Sequence, residues 1–172
     1  MGIELLPTVA SEPFKVFKNA PACAACQGGC CSQAPGVSVP LQWGAPSTGA
    51  MKVRLREALL SGEWKIQSRD HNVPWSFELT ICLVVVPAGK LEVSDCNGWH
   101  SELIRGCIFQ EATGCRLPWK RRPLECVALE PVAGGHCKCH GSDLYQKWLP
   151  YQDLLAEVCK DLPSGFDYRD HR

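Results

Sequence analysis

The sequence predicts a small single α+β domain, with a large irregular part rich in cysteine and helices at its C-terminal end. Three observations predict it. Twelve of the 172 residues are cysteine. Ten of the twelve gather in two stretches punctuated by glycine and proline, 21–46 and 95–141. The regular apolar spacing that marks helices and strands falls between and after those stretches. Hydrophobic residues make up 45% of the chain and charged residues 21%, so it has enough apolar side chain to fold.

In chain order, residues 1–20 read as an extended leader carrying Pro7 and Pro13. Residues 21–46 read as a loop whose heart is Cys23-Ala-Ala-Cys26-Gln-Gly-Gly-Cys30-Cys31. Ser47 or Thr48 caps a helix with Met51, Leu55, Ala58 and Leu59 on one face, and Gly62 ends it. Trp64-Lys-Ile-Gln67 alternates as a short strand. Phe77 to Val86 is β-branched and apolar, hence a buried strand, closed by Pro87-Ala88-Gly89. From 95 to 141 the expectation is loops and short turns. The span 142–163 reads as helical: Ser142 caps a short helix through Trp148, and Pro150 starts another with Leu154, Leu155 and Val158 inward. The whole of 1–172 is read as one domain.

Charge and targeting narrow the function. The formal net charge is zero and the pI is about 6.9, so neither nucleic acid nor an anionic membrane is an expected partner. The N-terminus has no basic start leading into an apolar run, and the longest apolar run, Ile81 to Ala88, is too short for a membrane span. The expected location is cytoplasmic. Thiols there are kept reduced, so twelve cysteines point to metal rather than to disulfides.

The spacing supports that reading. Cys23-x2-Cys26 lets two sulfurs turn toward one ion, in zinc sites and iron–sulfur sites alike. Gly28 and Gly29 can take positive φ and bring Cys30 beside the pair. Adjacent Cys30 and Cys31 serve two ions, or bridge a binuclear site, or divide into one ligand and one packed thiol. The second block, Cys107, Cys115 and Cys126, has spacings of C-x7-C and C-x10-C and supplies further ligands.

Together the two blocks resemble the YkgJ-like CxxCxxxCC cysteine-cluster family of zinc- or iron-chelating proteins. The resemblance rests on Cys23, Cys26, Cys30 and Cys31, then on Cys107-Ile-Phe109, Gly114-Cys115, Arg122-Pro123 and Cys126. It covers roughly 21–31 and 105–128. This chain has a long spacer between the blocks, Arg116-Leu117 where the family often has Ile-Tyr, and Val127 where an arginine often follows the last cysteine. The resemblance implies a metal-chelating module and no settled reaction.

The expected ligands are therefore Cys23, Cys26, Cys30, Cys31, Cys107, Cys115 and Cys126. Seven thiolates exceed one four-ligand site, so either the site is polynuclear or some cysteines stand behind the ligands. An iron–sulfur cluster or iron is favoured over zinc, because glycine-rich backbone offers N–H groups to cluster sulfides and Lys120-Arg121-Arg122 offsets thiolate charge. A solvated loop is the plainer reading of those three cations. The role expected is redox or cluster-carrying; the alternative is a structural zinc module presenting a protein-interaction surface. Cys96, His136, Cys137, Cys139 and His140 are possible extra donors, whereas Cys82 and Cys159 read as buried thiols. No GxGxxG, P-loop, HExxH or GxSxG motif is present, so no reaction is assigned. Two structural expectations follow. The blocks meet in space, and burial alone does not order the cysteine-rich stretches, which hold few periodic apolar residues.

Overall fold

The computed structural model describes residues 29–33, 35–72, 79–89, 91–93, 103–131, 137–139 and 144–162. The fold is a mixed α+β one. Helix α2, Thr48–Leu60, forms where predicted: the Ser47 hydroxyl accepts from the Ala50 amide at 3.3 Å, and the buried residues are Met51, Leu55, Ala58 and Leu59. Its opposite face exposes Val53 and Leu60. Gly62, at φ 72°, takes the left-handed turn that leads out of the helix.

Strands β1, Trp64–Asn72, and β2, Leu79–Pro87, form an antiparallel ribbon with Trp64 opposite Pro87 and Asn72 opposite Leu79. β1 is longer than the four-residue strand the alternation suggested, because β2 offers a partner along its whole length. Isolated two-stranded ribbons are marginal in water. Here the outer edge of β2 is covered. The Ser38 amide and hydroxyl both donate to the Val85 carbonyl, at 3.0 and 2.7 Å. The Gln152 side chain accepts from the Leu83 amide at 2.7 Å and donates to the Leu83 carbonyl at 3.0 Å. A backbone segment and one amide side chain thus stand in for a third strand and leave the edge little room to pair elsewhere.

The main core gathers α2, the ribbon and the C-terminal helix. Trp43 meets Trp64 edge-on at 5.0 Å, and Trp64 meets Phe109 at 5.6 Å. Each such fully buried large side chain contributes about 2–3 kcal/mol. The exposed ion pair between Lys52 and Glu157, at 2.5 Å, joins α2 to the C-terminal helix and contributes only about 0.5 kcal/mol. Apolar burial therefore decides how these helices sit. A smaller cluster of Val39, Leu124, Val127 and Leu144 forms beside the main core, with Trp119 against it.

Several expectations need correction. The span 21–46 is not simply loop: α1, Gly29–Gln33, is helical, and Pro40–Trp43 is a 3-10 turn. Gly29 accordingly does not take the positive φ expected of it. The stretch 95–141 carries short pieces of regular structure: β4 (Leu103–Arg105), paired with β3 (Leu91–Val93); the ribbon β5 (Gln110–Glu111) with β6 (Gly114–Cys115); α3 (Leu124–Val127); and β7 (Leu129–Pro131) with β8 (Cys137–Cys139). Both stretches also supply core: Val37, Val39, Trp43, Phe109, Leu124 and Val127 are each at most 1% exposed. Both stretches therefore bury more apolar side chain than the sparse apolar periodicity suggested.

The first C-terminal helix is a 3-10 helix, Gln146–Tyr151, rather than a helix ending at Trp148. Pro150 lies inside it, and proline has no amide to close an α-helical bond to Gln146. Helix α4, Gln152–Lys160, follows with Leu154, Leu155 and Val158 buried, as expected. The leader, Cys23, Cys26, Gly28, Phe77, Cys96, His136, His140, Ser142 and the tail beyond residue 162 lie outside the described residues. Among the described residues no helix is long and apolar enough to cross a membrane.

Candidate metal centre

The expected ligands that the structure describes sit on short elements along the core. Cys31 lies in α1, half-buried and packed against the main core, and Cys30 precedes it in the same helix. α1 packs against β4, two residues before Cys107. Cys107 is itself a core residue at 4% exposure. Its carbonyl accepts from the Gln110 amide at 2.9 Å, and the next amide, Ile108, donates to the Ala88 carbonyl at 2.9 Å. The start of the second cysteine block is thereby pinned to the end of β2.

Cys115 closes the β5–β6 hairpin and packs on the same core. Gly114, at φ 118°, supplies the backbone turn there. Arg122 holds the loop that follows: its guanidinium donates to the Leu117 carbonyl at 3.0 Å and the Cys115 carbonyl at 3.2 Å, and lies 5.0 Å over the Trp119 ring. Pro123 then sets the entry into α3, which carries Cys126. The Arg122-Pro123 pair so ties the backbone of Cys115 to the turn that presents Cys126. Of the three cations once grouped together, Arg122 is engaged with carbonyls, while Lys120 is exposed.

The chain just after Cys31 reaches Cys126 directly. Val37 and Glu125 bond reciprocally: the Val37 amide donates to the Glu125 carboxylate at 2.6 Å, and the Glu125 amide to the Val37 carbonyl at 3.2 Å. Gln42, 3% exposed, secures the same junction. Its side-chain oxygen accepts from Val39 and Leu124 amides, both at 3.1 Å, and its nitrogen donates to the Arg122 carbonyl at 2.8 Å. The bond to Leu124 satisfies a first-turn amide of α3 that Pro123, lacking a capping side chain, leaves open. Gly36 stands so close to Cys126 that a Cβ there would lie 2.5 Å from the sulfur. Sequence reasoning missed Gly36, Val37 and Gln42. Gly36 sits in a run with Pro35, an ordinary turn signal, and nothing in the sequence marks a partner more than 80 residues away.

The flanks of the two blocks therefore meet, at α1 against β4 and at 36–42 against 122–126. Among the described residues, however, no three His, Cys, Asp or Glu side chains lie close enough together to hold a metal ion. The described thiols alone make no complete site. Cys23 and Cys26, and the side chain of Cys30, are outside the described residues. Cys137 and Cys139 lie in β8, opposite Pro131 and Leu129, and Cys137 is half-buried.

Cys82 and Cys159 are buried thiols, as expected. The Cys82 thiol lies 3.4 Å from both the Tyr145 carbonyl and the Gln152 amide nitrogen; burial raises its pKa, and the Gln152 hydrogen bond partly opposes that. Burial pushes the Cys159 thiol up to about 11 from 9.0. The unfolded chain then loses this proton near pH 9 while the folded one keeps it. Cys159 consequently makes stability fall between about pH 9 and 11 and leaves it unaffected below. Cys159→Ala is expected to flatten that part of the stability–pH curve, to cost about 1 kcal/mol at neutral pH, and to leave metal content unchanged. An unaltered alkaline slope in urea titrations of the variant counts against this assignment.

No protein-family model, no curated protein and no solved structure matches the chain.

Proposed function

We propose that this protein holds an iron–sulfur cluster or iron through Cys23, Cys26, Cys30, Cys31, Cys107, Cys115 and Cys126, in a redox or cluster-carrying role. One observation carries the reading. The chain leaving Cys30-Cys31 is locked onto the turn that presents Cys126 by the Val37–Glu125 pair and Gln42. The two cysteine groups lie about 75 residues apart in sequence, and segments flanking them are joined by buried and part-buried hydrogen bonds. Thiolates suit iron, iron–sulfur clusters and zinc, and the Arg122 guanidinium adds a fixed positive charge beside the Cys115 carbonyl. The reading needs Cys23, Cys26 or Cys30 to complete the site, since the described side chains do not. When bound, a cluster supplies one-electron chemistry; the chain supplies the thiolates, their spacing and partial exclusion of water at Cys107.

The test is purification without oxygen, followed by metal and acid-labile sulfide analysis with a visible spectrum. Brown protein with iron and sulfide is the expected result. Colourless protein with stoichiometric zinc supports a structural zinc module in its place. Protein that purifies without metal, and takes up none on reconstitution, overturns both.

A further inference from the structure

We propose that Gly36 is a positioning residue for the Cys126 thiolate: by carrying no side chain, it holds open the place that the Cys126 sulfur occupies. This rests on Cys126 being a metal ligand, as proposed above. A Cβ built on Gly36 lies 2.5 Å from the Cys126 sulfur, 3.3 Å from its amide nitrogen and 3.5 Å from the Glu125 Cβ. The first contact is far inside van der Waals range, the second is tight enough to need a shift of a few tenths of an ångström, and the third is an ordinary contact. Gly36 is absent from the glycines of positive φ, so its backbone accepts an L-residue. The glycine is required by what faces it, not by its own conformation.

The neighbourhood limits how the clash can be relieved. The chain on one side is fixed by the Val37–Glu125 pair, the two Ser38–Val85 bonds and the Trp148 indole, which donates to the Ser38 carbonyl at 2.6 Å. On the other side α3 is fixed by Gln42. The soft coordinate is the single side-chain torsion of Cys126. A change of rotamer swings the sulfur by about 3 Å, more than a metal–thiolate bond of roughly 2.3 Å can follow. An alanine at 36 therefore turns the sulfur away, while the backbone at Cys126 gives by only a few tenths of an ångström.

The test uses the full chain, prepared without metal or oxygen and titrated with Co2+, whose thiolate charge-transfer and d–d bands report how many sulfurs bind. Gly36→Ala is expected to weaken Co2+ about tenfold, the scale of losing support behind a ligand, and to give the spectrum of Cys126→Ser. Adding Gly36→Ala to Cys126→Ser should change nothing further. Thermal unfolding supplies a metal-independent arm: Gly36→Ala lowers Tm in the native background and much less alongside Cys126→Ala, where the clashing sulfur is gone and only the tight contact with the backbone nitrogen of residue 126 remains. If Gly36→Ala alone does not fold, the Gly36→Ala/Cys126→Ala protein must; failure of that protein to fold overturns the proposal. So does a Gly36→Ala spectrum identical to the unsubstituted protein's while that of Cys126→Ser differs. Absence of thiolate bands in the unsubstituted protein, by contrast, overturns the proposal and leaves the iron–sulfur reading to its own metal and sulfide analysis.

Discussion

Replacing Trp148 with alanine is expected to lower the unfolding free energy by about 4 kcal/mol, the usual scale for removing a fully buried large aromatic side chain. Trp148 is completely buried in the main core. Its own 3-10 helix, Gln146–Tyr151, packs against β2 and Pro40–Trp43, and its indole donates to the Ser38 carbonyl at 2.6 Å. Ser38 in turn holds the edge of β2 through Val85 and accepts from the Trp43 indole at 2.8 Å. Loss of Trp148 therefore leaves a cavity and removes a hydrogen bond at the point where the first cysteine segment enters the core. Domains of this size are stable by roughly 5–15 kcal/mol, so a substantial part of the folded state's margin goes with one side chain. Trp148→Phe restores most of the packing without the donor and should cost about 2 kcal/mol, the scale of one unsatisfied buried acceptor. Urea unfolding followed by far-ultraviolet circular dichroism gives both numbers. A loss below about 1 kcal/mol for Trp148→Ala would mean that this junction is not a keystone of the fold.

The same junction shows where the sequence was legible. Local signals were enough for α2: a capping Ser47, apolar residues at helical spacing and Gly62 after the last turn all agree. β2 and α4 were readable for the same reason, since their apolar pattern follows from the face each one buries. The segment 35–43 was not, and was read as loop. Its Val37, Val39 and Trp43 fall at the even spacing of a strand, yet no strand forms: Pro40–Trp43 turns as a 3-10 helix, and these side chains are buried by surroundings that α3, β2 and Gln146–Tyr151 create together. Pro150 was read as starting the second helix, but it lies inside the preceding 3-10 helix, two residues before α4 begins at Gln152. At the candidate centre, the cysteine spacing and the Arg122-Pro123 pair were visible. Their physical roles were not, because an arginine bonding to the Cys115 carbonyl and a glutamine capping α3 leave no mark at fixed sequence distance.

Gln42→Met should be the second most damaging change, costing about 3 kcal/mol even though methionine nearly matches the volume. The apolar space is kept, so cavity formation is not the cause. The loss is polar. Gln42 satisfies three backbone groups at once: the amides of Val39 and Leu124 and the carbonyl of Arg122. A buried group left without its partner costs about 1–3 kcal/mol. The two amide bonds are buried, whereas the Arg122 carbonyl is only partly so and can recover water. That places the sum nearer 3 kcal/mol than the arithmetic maximum. The effect should also be local. Hydrogen exchange at the Val39 and Leu124 amides is expected to accelerate far more than at Val85 or Leu155, because the core that holds those residues does not depend on Gln42. Uniform acceleration across the chain, or stability within 1 kcal/mol of the unsubstituted protein, would show that water or backbone rearrangement replaces the glutamine. The link from the first cysteine segment to the Cys126 helix would then rest on the Val37–Glu125 pair alone.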